Sequence, residues 1–122
     1  MRNALSQRFS RAVNTYELWA KPQRESARRL VSFVRPSGLV LDLGCGTGFV
    51  SEELEECVPV GLDLSPEMVR AYRSKFGRGV VGRAESLPFK SKSFDFVLSN
   101  FALHWGDWER ALREALRVAR RA

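Results

Sequence analysis

Leu39-Val40-Leu41-Asp42-Leu43-Gly44-Cys45-Gly46-Thr47-Gly48 is the stretch that decides how this chain folds. Its first half is a short, mostly apolar run bounded by glycines, which suits a strand buried on both faces. Its second half is a glycine-rich turn, in which backbone N–H groups can approach a ligand closely. Downstream, a helical stretch from about Phe49 to Glu56 leads to a second strand, Pro59-Val60-Gly61-Leu62-Asp63. Ser65 is a natural N-cap and Pro66 a natural first helical residue, so a helix should run to about Lys75 and end at Gly77. Val80 and Val81 offer a short third strand and Phe94 to Ser99 a fourth. A last helix from about Asp107 places Trp108, Ala111, Leu112, Ala115, Leu116 and Ala119 on one face. Upstream, Ala27, Leu30, Val31 and Val34 mark an amphipathic helix over 24–35 that Pro36-Ser37-Gly38 stops. Strands alternating with helices predict an α/β fold, a mainly parallel sheet wrapped by helices.

Asp63 lies nineteen residues beyond Gly44, at the end of the second strand. In dinucleotide-binding folds an acidic residue at about this distance, 20 positions on, accepts hydrogen bonds from ribose hydroxyls. Two adjacent strands ending at one crevice would bring the loop and Asp63 together. The loop is not a P-loop, because Phe49-Val50 follows Gly48 where Lys-Ser/Thr is required. It reads G-x-G-x-G rather than the G-x-G-x-x-G of pyrophosphate binding. Asp42, two residues before the first glycine, would repel a phosphate and attract a cation. A ligand with a ribose and a positive group fits better than one with phosphates.

The 122 residues suit one domain, and a 44% hydrophobic content is that of a globular protein. No internal repeat, low-complexity tract or linker appears. No apolar run has the length of a membrane-spanning helix, and the opening residues lack the apolar stretch of a secretory signal. With Cys45 and Cys57 as its two thiols, the chain is expected to be reduced and cytoplasmic. Residues 1–35 hold eight basic and two acidic side chains, a balance of +6, whereas 36–106 balance to −2 and 107–122 to +2. Such a basic first segment attracts an acidic partner or forms a solvated helix face; the mildly acidic middle makes nucleic acid the weaker choice.

Val40-Leu41-Asp42-Leu43-Gly44-Cys45-Gly46-Thr47-Gly48 resembles the first motif of the class I S-adenosylmethionine-dependent methyltransferases. Val60-Gly61-Leu62-Asp63-Leu64-Ser65 is similar to their ribose-binding motif. Ala84-Glu85-Ser86-Leu87-Pro88-Phe89, Ser93-Phe94-Asp95-Phe96-Val97 and Arg117-Val118 resemble later motifs in order and spacing. The flanks, Arg8-Phe9-Ser10-Arg11-Ala12 through Tyr16 with Gln23-Arg24, and Ser99-Asn100-Phe101-Ala102-Leu103-His104-Trp105, resemble the malonyl-acyl-carrier-protein O-methyltransferases of biotin synthesis. The resemblance runs from about residue 8 to the last residue.

It implies a Rossmann-like doubly wound fold with S-adenosylmethionine as cofactor. The backbone of Gly44, Cys45, Gly46 and Gly48 would hold the methionine end, Asp42 would orient its amino group, and Asp63 with Leu64 would meet the ribose. Met68 would pack on the adenine, with Ala84, Glu85 and Asn100 completing the cofactor site. Gly82-Arg83-Ala84-Glu85 departs from the family's usual Gly-Asp-Ala-Glu, and Arg83 cannot accept a hydrogen bond from the adenine amino group. Tyr16 and His104 are the candidate catalytic residues; the competing readings are core packing of an N-terminal helix for Tyr16 with Trp19, and a ring packed beside Trp105 in a loop for His104. No metal is implied.

Residues 1–36 are expected to form a basic helical segment on the lid or acceptor side, and 37–122 the cofactor-binding core, all within one domain. The family fold continues with further strands, so by resemblance this chain is truncated after the helix that follows the fourth strand. That strand then becomes a sheet edge, and association with a second copy or a partner chain is expected. The resemblance implies a methyltransferase acting on a small-molecule or carrier-bound carboxylate, with no membrane partner. A cofactor-binding half-domain serving as sensor, scaffold or partner subunit is the alternative.

Overall fold

The computed structural model describes residues 20–99 and 107–120. The order is α1 (Ala20–Val34), β1 (Gly38–Leu43), α2 (Phe49–Glu53), β2 (Cys57–Asp63), α3 (Pro66–Phe76), β3 (Gly79–Val81), β4 (Phe96–Ser99) and α4 (Trp108–Val118). The four strands form one sheet in the order β3-β2-β1-β4, and every neighbouring pair is parallel. β1 is central, pairing Leu43 with Leu62 on one side and with Ser99 on the other.

Alternation along β1 sorts the core into two layers. Val40 joins Ala27, Phe49, Val50 and Leu98 under α1 and α2. Leu41 and Leu43 join Leu62, Leu87, Phe94 and Val118 on the opposite face. α3 covers the β2–β3 half of the sheet, and Gly61 and Gly79, paired across the strands, leave the room its Tyr72 ring needs.

β1 and β2 begin at Gly38 and Cys57, one and two residues before the expected Leu39 and Pro59, and four other boundaries differ for a local reason. α1 begins at Ala20 rather than at 24, because Pro22 is tolerated in a first turn. It ends at Val34, since Pro36 disfavours helical geometry at Arg35, which turns to a φ of 51°. α2 stops at Glu53, not Glu56: Glu52, Glu53, Glu55 and Glu56 crowd negative charge at the negative end of a helix, and Glu56 takes a φ of 55°. β4 begins at Phe96 because Phe94 is engaged elsewhere, its N–H on Val118 and its C=O receiving Arg120 N–H.

α4 departs further. Ala111 and Val118 are buried, but Trp108, Leu112 and Leu116 are 56%, 44% and 51% exposed, so the expected apolar face divides into an inner row of small residues and an outer stripe. Ser65 caps α3 as expected, accepting from Met68 N–H at 3.2 Å. Asp107 caps α4 in the same way, from Arg110 N–H. Cys45 and Cys57 are both free thiols. Among the described residues no helix is long and apolar enough to cross a membrane, and no cluster of three His, Cys, Asp or Glu could hold a metal.

Candidate cofactor site

The turn after β1 is stitched to β2. Gly44 and Cys45 N–H groups both donate to Leu62 O, at 2.8 and 3.0 Å. Gly44, Gly46 and Gly48 take φ values of 70°, 53° and 106°, a region that side chains adopt only with strain. Asp63, at the end of β2, closes the arrangement: its Oδ2 accepts from Gly46 N–H at 2.9 Å and its Oδ1 from Ser65 N–H at 3.0 Å. Loop and carboxylate therefore meet in one crevice at the carboxyl ends of β1 and β2, as the spacing predicted.

Asp42, the penultimate residue of β1, is only 1% exposed, so its carboxyl is buried and not presented at the surface. Its Oδ2 accepts from Ser51 Oγ at 2.7 Å, and Ser51 Oγ lies 2.8 Å from Tyr72 Oη. Burial pushes the Asp42 carboxyl up to about 7, partly offset by Ser51 and reinforced by the charge of Asp63. Burial likewise raises Asp63, against the lowering effect of the Ser65, Gly46 and Leu64 N–H groups. It also raises the Cys45 thiol and the Tyr72 hydroxyl. Among the described residues neither carboxylate has a salt-bridge partner.

A carboxyl raised on folding makes stability fall with pH. The unfolded chain releases the Asp42 proton near 3.8 and the folded chain holds it to about 7, so stability is lost as pH rises across that window. Asp42→Asn, which keeps an acceptor for Ser51 and carries no charge, should gain on the wild type as pH rises. The margin in melting temperature is expected to widen from pH 5 to pH 8; a constant or shrinking margin would show that Asp42 titrates normally.

Met68 is fully buried, so its side chain serves the packing of α3 and does not present itself to a ligand as expected. Cys45 is buried too, contributing main chain and not thiol to the crevice. Leu64, Ala84 and Glu85 are part-exposed. Tyr16, Asn100 and His104 lie outside the described residues. Sequence reasoning missed Ser51 and Tyr72, although Tyr72 falls four residues after Met68 on the inner face of α3. It also missed two buried hydroxyls that have no hydrogen-bond partner among the described residues, Thr47 Oγ1 in the loop and Ser99 Oγ on the strand beside Leu43.

A family of proteins described as the methyltransferase domain matches residues 41–122. The chain belongs to this methyltransferase family. A malonyl-[acyl-carrier protein] O-methyltransferase of Herminiimonas arsenicoxydans is 40% identical over 123 residues, covering 96% of this chain and 47% of that protein. A Thermotoga maritima crystal structure described as a SAM-dependent methyltransferase is 34% identical with a TM-score of 0.80, over 91% of this chain and 55% of that one. A Haloferax volcanii methyltransferase, solved in complex with the Trm112 methyltransferase activator, is 25% identical with a TM-score of 0.82, over 91% and 55%. The chain thus has the Rossmann-like fold of the methyltransferase family and spans about half the length of the curated relatives it matches.

Proposed function

We propose that this chain forms the cofactor-binding part of an S-adenosylmethionine-dependent O-methyltransferase whose acceptor is a carboxylate on an acyl carrier protein. The observation that carries the cofactor is the junction of Gly46 N–H and Asp63 at the end of the strand that neighbours Asp42: a carboxylate joined to a bare loop, with two buried acidic groups and, among the described residues, no basic side chain paired to either. This donor set fits a ligand with a ribose and a cationic amino-acid end and disfavours one with phosphates. Asp63 already accepts from the main chain of Gly46 and Ser65, with Leu64 N–H adding to them, and its remaining acceptor capacity would serve a ribose hydroxyl, while the loop's main chain can follow the amino-acid portion. When bound, the cofactor supplies a methyl group on a sulfonium, already activated for transfer.

The chain's own residues need then only bind, align and exclude water. A carboxylate acceptor is ionised at neutral pH and requires no base from the protein. Tyr16 and His104 stay candidates for lining the acceptor side, with the basic segment before β1 as the region that meets an acidic carrier. The malonyl-carrier substrate of the Herminiimonas relative supports that choice, as does the +6 balance of residues 1–35.

The second reading, a cofactor-binding subunit that needs another chain for turnover, is favoured by β4 standing at the sheet edge among the described residues. Isothermal titration with S-adenosylhomocysteine tests the shared part, and absence of binding would overturn both readings. Labelled methyl transfer separates them. Turnover of a malonyl-loaded carrier, but not an acetyl-loaded one lacking the free carboxylate, is the expected result; binding without any transfer favours the subunit.

A further inference from the structure

The connection from β3 to β4, residues 82–95, contains no helix. It crosses the second face of the sheet as a strap, with Leu87 and Phe94 buried in the core and the Phe89 ring edge-on to Phe94 at 4.9 Å. Irregular backbone packed on a sheet leaves N–H and C=O groups that need partners. α4 provides them from two side chains. Glu114 Oε1 accepts from Leu87 N–H at 2.8 Å. Arg117 donates through Nη2 to Leu87 O at 3.1 Å and through Nη1 to Phe89 O at 2.9 Å. The two side chains are joined, Arg117 Nε donating to Glu114 Oε2 at 2.6 Å. Arg117 holds the Glu114 carboxyl below its ordinary range.

The other end of the strap hangs from the site. Gly82 N–H donates to Asp63 O at 3.0 Å, and Ser86 N–H to Arg83 O at 3.2 Å closes the turn that follows. Arg83 and Glu85 pair across that turn at 3.6 Å. The turn is therefore fixed at one end by the main chain of Asp63 and at the other by the grip of α4. A nucleoside with its sugar on Asp63 and its amino-acid end over the β1 loop directs its base to the β3 side, where residues 83–86 lie.

We propose that Glu114 and Arg117 are positioning residues for base recognition: by gripping Leu87 and Phe89 they hold the Arg83–Ser86 turn where it reads the base of the bound nucleoside. The inference rests on the reading of the crevice as an S-adenosylmethionine site. An exposed ion pair within one helix would need neither a planar fork nor two carbonyls of another segment; the guanidinium supplies both contacts at once, which a lysine ammonium does not.

The test compares two probes on the 122-residue chain, S-adenosylhomocysteine and S-inosylhomocysteine, in which a carbonyl replaces the adenine amino group. Wild type is expected to prefer the adenine form. In Arg117→Met the affinity for S-adenosylhomocysteine should fall about tenfold and the preference between the probes should collapse towards one, with Arg117→Lys intermediate. Titrations are run below each variant's unfolding midpoint, so a lowered melting temperature alone does not produce the result. Glu114→Gln, which keeps the acceptor for Leu87 N–H and removes the charge, covers the case in which Arg117→Met fails to fold, and a partial loss of preference is expected there. An unchanged preference in folded variants overturns the positioning role and leaves the cofactor reading intact. A wild type that binds both probes equally also overturns the role, and one that binds neither overturns the cofactor reading with it.

Discussion

Asp63→Ala should weaken S-adenosylhomocysteine binding by about 10- to 150-fold, the loss of roughly 1.5–3 kcal/mol that removing a doubly bonded charged acceptor produces. The side chain is 7% exposed and holds the loop as well as any ribose. Its removal strands the Gly46 and Ser65 N–H groups, which now donate to it at 2.9 and 3.0 Å. Asp63→Asn should fail almost as badly, because the amide can accept from only one of these two donors and turns a competing N–H towards the other. Titration calorimetry on folded protein checks both. Undiminished affinity in either variant would place the ribose elsewhere and remove the strongest support for the proposed cofactor.

Gly48→Ala should be a strongly damaging single-methyl change in the loop. Gly48 has a φ of 106°, and a Cβ built there would lie 2.3 Å from Phe76 Cε2, with two further ring atoms at 3.1 Å. Backbone strain of about 1–2 kcal/mol and overpacking of about 1–3 kcal/mol together predict a loss of roughly 2–5 kcal/mol, or roughly 10 °C or more in melting temperature. Gly77 provides the comparison: it has a φ of 88°, yet an added Cβ would meet nothing within 4 Å. Gly77→Ala should therefore show the backbone part alone. Equal melting temperatures for the two variants would mean that Phe76 yields freely and does not brace the loop.

The elements legible in the sequence are those whose residues act locally. Glycines at 44, 46 and 48 mark a turn because side chains resist that backbone, and Ser65-Pro66 marks a helix start because cap and fixed φ need no distant partner. The nineteen-residue interval from Gly44 to Asp63 was readable because a strand–helix–strand unit fixes how far the chain travels before returning to the same crevice. What was not legible depends on contacts between segments. Nothing near Asp42 announces that Ser51 and Tyr72 bury its carboxylate beneath the loop. The inward turn of Met68 follows from where α3 sits on the sheet, and the outward turn of Trp108, Leu112 and Leu116 from α4 resting its alanines on the core. Arg117 was recognisable as part of a motif, but its hold on Leu87 and Phe89 spans 30 and 28 positions of chain.

The pair Gly61 and Gly79 has a bearing on all of this. A Cβ on either would press on Tyr72, at 2.6 and 3.1 Å, so two missing methyl groups carve a slot in the sheet into which the ring drops. The depth of that slot sets the reach of the phenol, and hence whether its oxygen arrives at Ser51. Bulk thus acts at a distance: the size of the residue at 79 in β3, which bears no polar side chain, decides whether the phenol of α3 reaches the Ser51 hydroxyl that donates to the Asp42 carboxylate in β1, beyond the intervening β2.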